Sequence, residues 1–218
     1  MENQVALESQ DHPLNPQKPN GGGQVDEGDG SPTDSIPDTL NLDVLEDTER
    51  TWMPGITSRI GAGLKEAAIT CLEENRHASG INIEVDGDRT RSMKVTWAID
   101  GDADRRLRAW GDRDVAAENG AYGIAALLIN SLTEYTVVER SKKGTGFDYW
   151  LGSKDANEPL FQAKARMEVS GIMKGDDGKI KERVRRKEKQ ITPSDGFLPG
   201  IIVVVEFSSP RARMRTKK

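Results

Sequence analysis

The stretch of sequence that decides the fold is GTGFDYWLGSKDANEPLFQAKARMEVSG, residues 144–171. Residues 147–151 and 159–169 are rich in aromatic and apolar side chains and predict two strands. The polar segment between them is typical of a hairpin loop. We therefore expect an antiparallel hairpin at the centre of the fold, and the remaining elements are predicted outward from it.

Alternation along the second predicted strand separates a polar face from an apolar face, because side chains two residues apart point to the same side. The polar face consists of Gln162, Lys164, Arg166 and Glu168. If the hairpin folds about residues 155–156, Asp148 lies opposite Lys164, within a residue or two. An acid, an amide and a lysine side by side indicate a functional site rather than a packing role. The alternative is a ladder of cross-strand charge pairs.

The elements around the hairpin are predicted in the order helix, strand, strand, strand, helix, strand over residues 114–207. The first helix, residues 114–132, is the most apolar of the chain and carries Glu118 on or beside its core face. A carboxylate there needs a partner such as a metal ion or a lysine, unless it reaches solvent at the edge of the core. The final strand, residues 200–207, is a β-branched run typical of a strand covered on both faces.

The remaining segments complete an α/β fold of the mixed α+β-sheet type. Residues 56–113 predict a helix and two strands, an αββ extension of the core. Cys71 falls on the apolar face of that helix and is interpreted as a core residue. Residues 1–55 have the composition of a disordered acidic tail, and residues 208–218 that of a basic, flexible C-terminus.

Charge is distributed unevenly along the chain. The net charge is −5, yet residues 1–50 contain 12 acidic and 2 basic residues, so the remainder is net positive. The acidic tail either aids solubility or binds a protein partner or the basic domain. We predict nucleic-acid contacts by clustered cations, the alternative being solvated loops and faces. These cations are Arg105, Arg106, Arg108, Lys142, Lys143, Arg183, Arg186 and Lys187.

Composition excludes several classes of protein. No apolar run reaches the roughly 18 residues of a membrane span, and the first residues lack the pattern of a signal peptide, so a cytoplasmic location is expected. One cysteine excludes an internal disulfide and a zinc–cysteine cluster. The GTG turn is too short for a phosphate-binding fingerprint. His77 is the only histidine outside the tail, and no Ser–His–Asp set is available.

The polar face of the hairpin suits phosphodiester hydrolysis. This reaction needs a hard cation, which carboxylate and carbonyl oxygens bind, and an activated water. A lysine beside the site orients the water or stabilises charge on the phosphate. Asp148, Glu118 and Gln162 are the predicted ligands of Mg²⁺ or Mn²⁺, with Lys164 as the catalytic cation.

The layout αβββαβ, with a glycine turn and an acid on the second strand and Q-x-K on the third, resembles the PD-(D/E)xK nuclease superfamily. It is most similar to its Mrr-like restriction endonucleases, which carry a glutamate on the first core helix. The matching positions are Gly144 to Asp148, Gln162 to Lys164, and Glu118. The resemblance covers residues 114–207 and implies a restriction-endonuclease-like fold, magnesium and a DNA substrate.

Two departures from that pattern leave the function open. Gln162 is a weaker metal ligand than a carboxylate, and Glu168 is an alternative acid on the same face. If Glu168 is the ligand, Ser170 stands at the lysine position, which argues against catalysis. The sequence therefore predicts a metal-dependent DNA endonuclease of restriction or phage defence, or an inactive nuclease-like module that binds nucleic acid or a protein partner.

Overall fold

The computed structural model of the chain describes residues 38–48, 53–88, 90–98, 101–155, 157–159, 161–192, 196 and 198–217. Most of the predicted acidic tail lies outside these residues. The described part is a mixed α/β structure of eight strands and four α-helices. The strands are Thr39–Asn41 (β1), Ile81–Gly87 (β2), Arg91–Thr96 (β3), Tyr135–Arg140 (β4), Tyr149–Ser153 (β5), Ala165–Ile172 (β6), Gly200–Glu206 (β7) and Arg211–Lys217 (β8). The helices are Ser58–Glu74 (α1), Ala103–Ala109 (α2), Arg113–Leu132 (α3) and Asp177–Ile191 (α4), with a 3-10 helix at Leu42–Glu46.

All eight strands form one mixed sheet in the order β1-β3-β2-β8-β7-β6-β5-β4. Strands β4, β5 and β6 are an antiparallel meander, and β7 then runs parallel to β6 after the crossover through α4. Strand β8 turns back antiparallel to β7 and also pairs with β2 in parallel. From α3 to β7 the elements follow the predicted order of helix, three strands, helix and strand.

Helices cover both faces of the sheet at β7, as its continuous apolar sequence predicts. Ile201, Val203 and Val205 belong to the main core beneath α1 and α3, whereas Ile202 and Val204 belong to a second core beneath α4. This division follows from the two-residue period of a strand. Ile180, Val184 and Ile191 are the buried side chains that α4 contributes. The polar side of α4 is therefore free to face a site.

Three segments differ from the sequence-based expectation because their apolar side chains are buried. Residues 39–46, assigned to the tail, form β1 and the 3-10 helix, and Leu40, Leu42 and Leu45 are almost fully buried. The expected flexible C-terminus is β8, an interior strand of the sheet. The charged connection near residue 105 contains α2, capped by Asp102, which accepts hydrogen bonds from two backbone amides.

The central hairpin has a longer loop than predicted. Strand β6 begins at Ala165 rather than near residue 159, and Tyr149 pairs with Met167. Asp148 therefore lies across from Glu168, not Lys164. The segment before β6 carries exposed polar side chains and an exposed Phe161, so it has no apolar face to bury and forms loop. None of the helices in the described part of the chain has the length and apolar character needed to cross a membrane.

Candidate active site

Glu168 is a charged residue at the centre of β6 whose side chain is completely buried. Its Oε1 accepts hydrogen bonds from the Lys187 ammonium and from Gln190 Nε2, the latter at 2.8 Å. Its Oε2 accepts no hydrogen bond from the described residues, and a proton on Glu168 would be shared with the neighbouring Asp148 carboxylate. Burial and the nearby Asp148 carboxylate raise the pKa of Glu168 to about 8, against the opposing effect of Lys187. Burying a carboxyl oxygen without a hydrogen-bond partner lowers the stability of the fold. Such an oxygen is a candidate ligand-binding position.

Asp148 lies beside Glu168 because the turn before β5 places it there. Gly146 in that turn has φ +84°, and a Cβ on it would lie 2.6 Å from the Gln190 carbonyl oxygen, so the position requires glycine. Asp148 Oδ2 accepts a hydrogen bond from the Val169 amide at 2.8 Å. We call Asp148 and Glu168 the acidic pair.

Tyr122 connects the acidic pair to α3. Its hydroxyl lies 2.9 Å from Asp148 Oδ1 and 2.8 Å from Glu118 Oε1. A phenol has one proton to donate, so it hydrogen-bonds one of these two carboxylates at a time. The contact with the other carboxylate needs a further proton or a cation. Burial and the two neighbouring acids raise the pKa of Tyr122, so the phenol stays protonated.

Gly171 fixes the distance between α3 and β6. A Cβ at this position would lie 1.9 Å from the Ala117 carbonyl oxygen, which no side chain tolerates. The missing side chain allows the first half of α3 to lie directly against the end of β6. Glu118, the next residue of α3, is thereby brought to the edge of the site.

Ser170 follows Glu168 on the same face of β6, and its side chain is also buried. Arg183 of α4 donates a hydrogen bond to Ser170 Oγ at 2.7 Å and another to the Gly171 carbonyl oxygen at 3.3 Å. The positive charge that a lysine at position 170 would supply therefore comes from α4, through Arg183 and Lys187.

An open cleft of about 370 Å³ lies between α3, the end of β6 and α4. We refer to it as the cleft. Its acidic side belongs to α3 and its basic side to α4. It is lined by Asp114, Glu118, residues 169–174, Lys179, Arg183, Arg186 and Lys187.

The structure brings together three of the acids named from the sequence and separates the predicted Q-x-K pair from them. Asp148, Glu168 and Glu118 meet around Tyr122 and Lys187. Gln162 is exposed in the loop before β6. Lys164 forms an ion pair with Glu158 at 3.2 Å, and its amide donates to the Leu151 carbonyl oxygen. In the candidate site, Glu168 and Lys187 therefore take the roles that the sequence analysis assigned to Gln162 and Lys164.

The cations predicted to bind nucleic acid fall into separate groups. Arg106 is buried and pairs with Glu73, so its charge is compensated within the protein. Its neighbours Arg105 and Arg108 are exposed on α2, and Lys142 and Lys143 are exposed in the β4–β5 turn. The cations that reach the cleft are Arg183, Arg186 and Lys187.

The acidic pair fits a hard divalent cation better than a softer metal. Magnesium usually takes one or two carboxylates and keeps several waters, and Glu168 Oε2 is a buried oxygen that accepts no hydrogen bond from the described residues and lies beside a second carboxylate. Within the described ranges, no group of three or more His, Cys, Asp or Glu side chains is arranged to hold a metal ion. The carboxylates available are thus those of the pair.

Tyr122, Ser170 and Gln190 are site residues that the sequence analysis did not identify as functional. Tyr122 stands four residues after Glu118, a spacing that places both on one helix face. That spacing was the available signal for Tyr122. Gln190 gives no comparable signal, because its role depends on how α4 crosses β6.

Comparison with known proteins gives no significant match among protein-family models, curated proteins or solved structures. The functional inference therefore depends on the geometry of the acidic pair and the cleft.

Proposed function

We propose that the protein is a metal-dependent endonuclease that hydrolyses DNA phosphodiester bonds, with a restriction-endonuclease-like core formed by α3 to β7. The observation that carries the proposal is Glu168. It is a fully buried carboxyl group with one oxygen that accepts no hydrogen bond from the described residues, placed beside Asp148 and paired with a lysine. This combination is costly for stability and is the type of arrangement found at functional sites.

In this proposal each side chain has a distinct role. Asp148 and Glu168 would hold Mg²⁺ or Mn²⁺, which supplies a Lewis acid for a phosphate oxygen and lowers the pKa of a bound water. Lys187 keeps positive charge at Glu168 and stabilises charge that develops on the phosphate. Tyr122 connects Asp148 to Glu118 and donates its proton to one of the two carboxylates at a time. Glu118, exposed at the mouth of the cleft, orients the attacking water or accepts its proton.

The connectivity around the pair also supports a nuclease-like core. The acids lie on an antiparallel hairpin, β5 and β6, and the next strand, β7, runs parallel to β6 after the helical crossover. This is the αβββαβ order that suggested the resemblance. The acids are carried by β6 and by the turn before β5, and the helices α3 and α4 supply the remaining groups.

The test is cleavage of supercoiled plasmid DNA with Mg²⁺ or Mn²⁺. Asp148→Asn and Glu168→Gln keep side-chain size and remove the negative charge, so both should abolish cleavage. Gln162→Ala and Lys164→Ala are the matched controls and should keep wild-type cleavage. Cleavage that survives in the acidic-pair variants, or that is lost in the controls instead, would overturn the proposal, provided all four variants are folded at the assay temperature.

A second candidate is an inactive nuclease-like module that binds DNA or a protein partner. It is favoured by Ser170 at the lysine position and by the absence of a three-residue metal cluster among the described residues. This candidate predicts salt-dependent DNA binding, with no cleavage in the presence of any divalent metal ion. Calorimetric titration separates the two candidates: stoichiometric Mn²⁺ binding that disappears in Glu168→Gln contradicts the inactive module.

A further inference from the structure

The α4 side of the cleft carries cations that form no ion pair with the described residues. Lys179, Arg183 and Arg186 occupy one face of the helix, since they are separated by four and three residues. Lys174 joins them from the loop before α4. In the described part of the chain these four side chains form no ion pair: Arg183 donates to Ser170 and Gly171, and Lys179 to the Lys174 carbonyl oxygen. We call Lys179, Arg183 and Arg186 the α4 wall.

The opposite side of α4 faces β8, and three of the four described cations there form ion pairs: Lys181 of the helix and Arg213 and Arg215 of the strand. Lys181 pairs with Asp177, Arg213 with Asp86 and Asp177, and Arg215 with Asp88. Most positive charge on that side thus has a carboxylate partner within the fold. Arg185 is the exception, with no ion pair among the described residues, whereas all three cations of the α4 wall lack one.

Arg183 is the anchor of the α4 wall. Its guanidinium is held against buried Ser170 by a hydrogen bond of 2.7 Å. Burial and the neighbouring Arg186 lower the pKa of Arg183, and Asp114 and Glu182 offset this only in part. A half-buried, preorganised guanidinium with unused donors recognises an anion, and phosphate is the anion whose geometry it fits best.

The remaining lining limits what the anion can belong to. Among the described residues that line the cleft there is no aromatic side chain. Binding of single strands uses aromatic platforms on which bases stack, whereas a duplex offers phosphates without unstacked bases. From Lys179 to Arg186 the helix rises on the order of 10 Å, the axial length of about three nucleotides of one strand.

We propose that the α4 wall binds consecutive phosphates along one strand of a nucleic-acid duplex, without base stacking, and so places that strand against the acidic pair. This inference rests on the proposed function, because the cleft adjoins the acidic pair through Glu118, which Tyr122 connects to Asp148, and through Lys187, which binds Glu168. It specifies the form of the substrate and the surface that holds it. Binding is set by backbone charge, so it is independent of base sequence.

The test measures binding of a fluorescein-labelled 20-base-pair DNA duplex by anisotropy in EDTA, where no metal-dependent cleavage occurs, between 50 and 300 mM salt. The double variant Lys179→Gln/Arg186→Gln should weaken binding about tenfold or more and reduce the salt slope by about two, one for each lost phosphate contact. The matched control, Lys181→Gln/Arg185→Gln, removes the same charge from the other side of α4 and should bind like the wild type.

Equal weakening by both double variants would overturn the proposal, because it would mean that only net charge matters. Tighter binding of the corresponding single strand than of the duplex would overturn it too. Failure here is distinguishable from failure of the proposed function. Duplex binding through the α4 wall without any cleavage supports the inference and contradicts the endonuclease, whereas metal-dependent cleavage that tolerates Lys179→Gln/Arg186→Gln contradicts the inference alone.

Discussion

Glu168 combines two requirements that conflict in a protein without metal. Its burial favours a neutral carboxyl group, while Lys187 favours the carboxylate. The structure satisfies one oxygen with Lys187 and Gln190 and leaves the other without a hydrogen bond from the described residues. Under the proposed function, a divalent cation at Oε2 would remove the conflict, because it would replace the proton that burial favours. The conflict between burial and charge at this single side chain is therefore the main indication that the site binds a ligand.

The raised pKa of Glu168 predicts that stability depends on pH. The group titrates near 4.5 when unfolded and near 8 when folded, so between these values the folded state holds a proton that the unfolded state has released. Stability is greatest at the acidic end of this range and falls as pH rises toward 8. In metal-free buffer we expect the wild-type Tm to drop by about 5 °C or more between pH 5 and 8.

Glu168→Gln should abolish most of that drop, since the amide cannot ionise. Glu158→Gln, which alters an exposed carboxylate paired with Lys164, should keep it. Differential scanning fluorimetry of the three proteins across this pH range gives the comparison. The same pH slope in Glu168→Gln as in the wild type would show that another group causes the dependence.

Lys187 is expected to supply the positive charge that a lysine at position 170 would supply in an E-x-K motif. Lys187→Ala should reduce plasmid cleavage by about 10²-fold or more, a typical cost of losing one electrostatic stabiliser. Adding Ser170→Lys to this variant should restore part of the rate, because the new ammonium would stand two residues after Glu168. A pH–rate profile of the double variant that returns toward the wild type separates this role from a structural one. No recovery in a folded double variant would contradict it.

At the scale of elements, close approach of α3 to β6 assembles the site, and Gly171 makes it possible. Gly171→Ala places a Cβ 1.9 Å from the Ala117 carbonyl oxygen, so α3 must shift. We expect a loss of about 1–3 kcal/mol in stability from overpacking and lower activity through displaced Glu118. Gly63→Ala, in a helical position with open space around its Cβ, should instead stabilise by about 0.5–1 kcal/mol. Chemical denaturation measures both, and equal effects would contradict the packing argument.

The same hairpin shows what could be predicted from the sequence and what could not. Two-residue alternation correctly grouped Arg166 and Glu168 on one face, and the spacing of apolar residues located α3, α4 and β7. Local sequence pattern does not reveal the length of the loop between β5 and β6. Phe161 is a residue type typical of strands, yet it is exposed in that loop. The observed register differs from the predicted one by an even number of residues. Asp148 therefore kept the correct face but met Glu168 in place of Lys164.

Contacts distant in sequence decided the parts that local patterns missed. Leu40 and Leu42 follow a long segment of acidic, tail-like composition, yet both are buried, because β1 pairs with β3 and the 3-10 helix packs against α1. Sequence alone does not distinguish Lys187 from the other cations of α4, because its contact with Glu168 depends on how α4 packs against β6. Composition describes an average over a segment, whereas burial is decided by individual positions.

At the scale of the whole molecule, β8 holds the αββ extension to the core. It pairs with β7 of the core on one side and with β2 of the extension on the other. Its basic sequence alternates buried Ala212 and Met214 with outward-facing cations. The C-terminal strand therefore joins the two halves of the sheet.

Met214→Ala and Arg215→Ala test this at neighbouring positions on opposite faces of β8. Met214 is 6% exposed, and its truncation should cost about 2–5 kcal/mol. Arg215 is exposed, and its ion pair with Asp88 spans 3.8 Å, so its loss should cost no more than about 0.5 kcal/mol. Urea unfolding measures both values, and hydrogen exchange should show weaker protection in β2 as well as β7 for Met214→Ala alone. A flexible terminus would make both substitutions neutral, so a silent Met214→Ala would show that the two halves of the sheet are held together without β8.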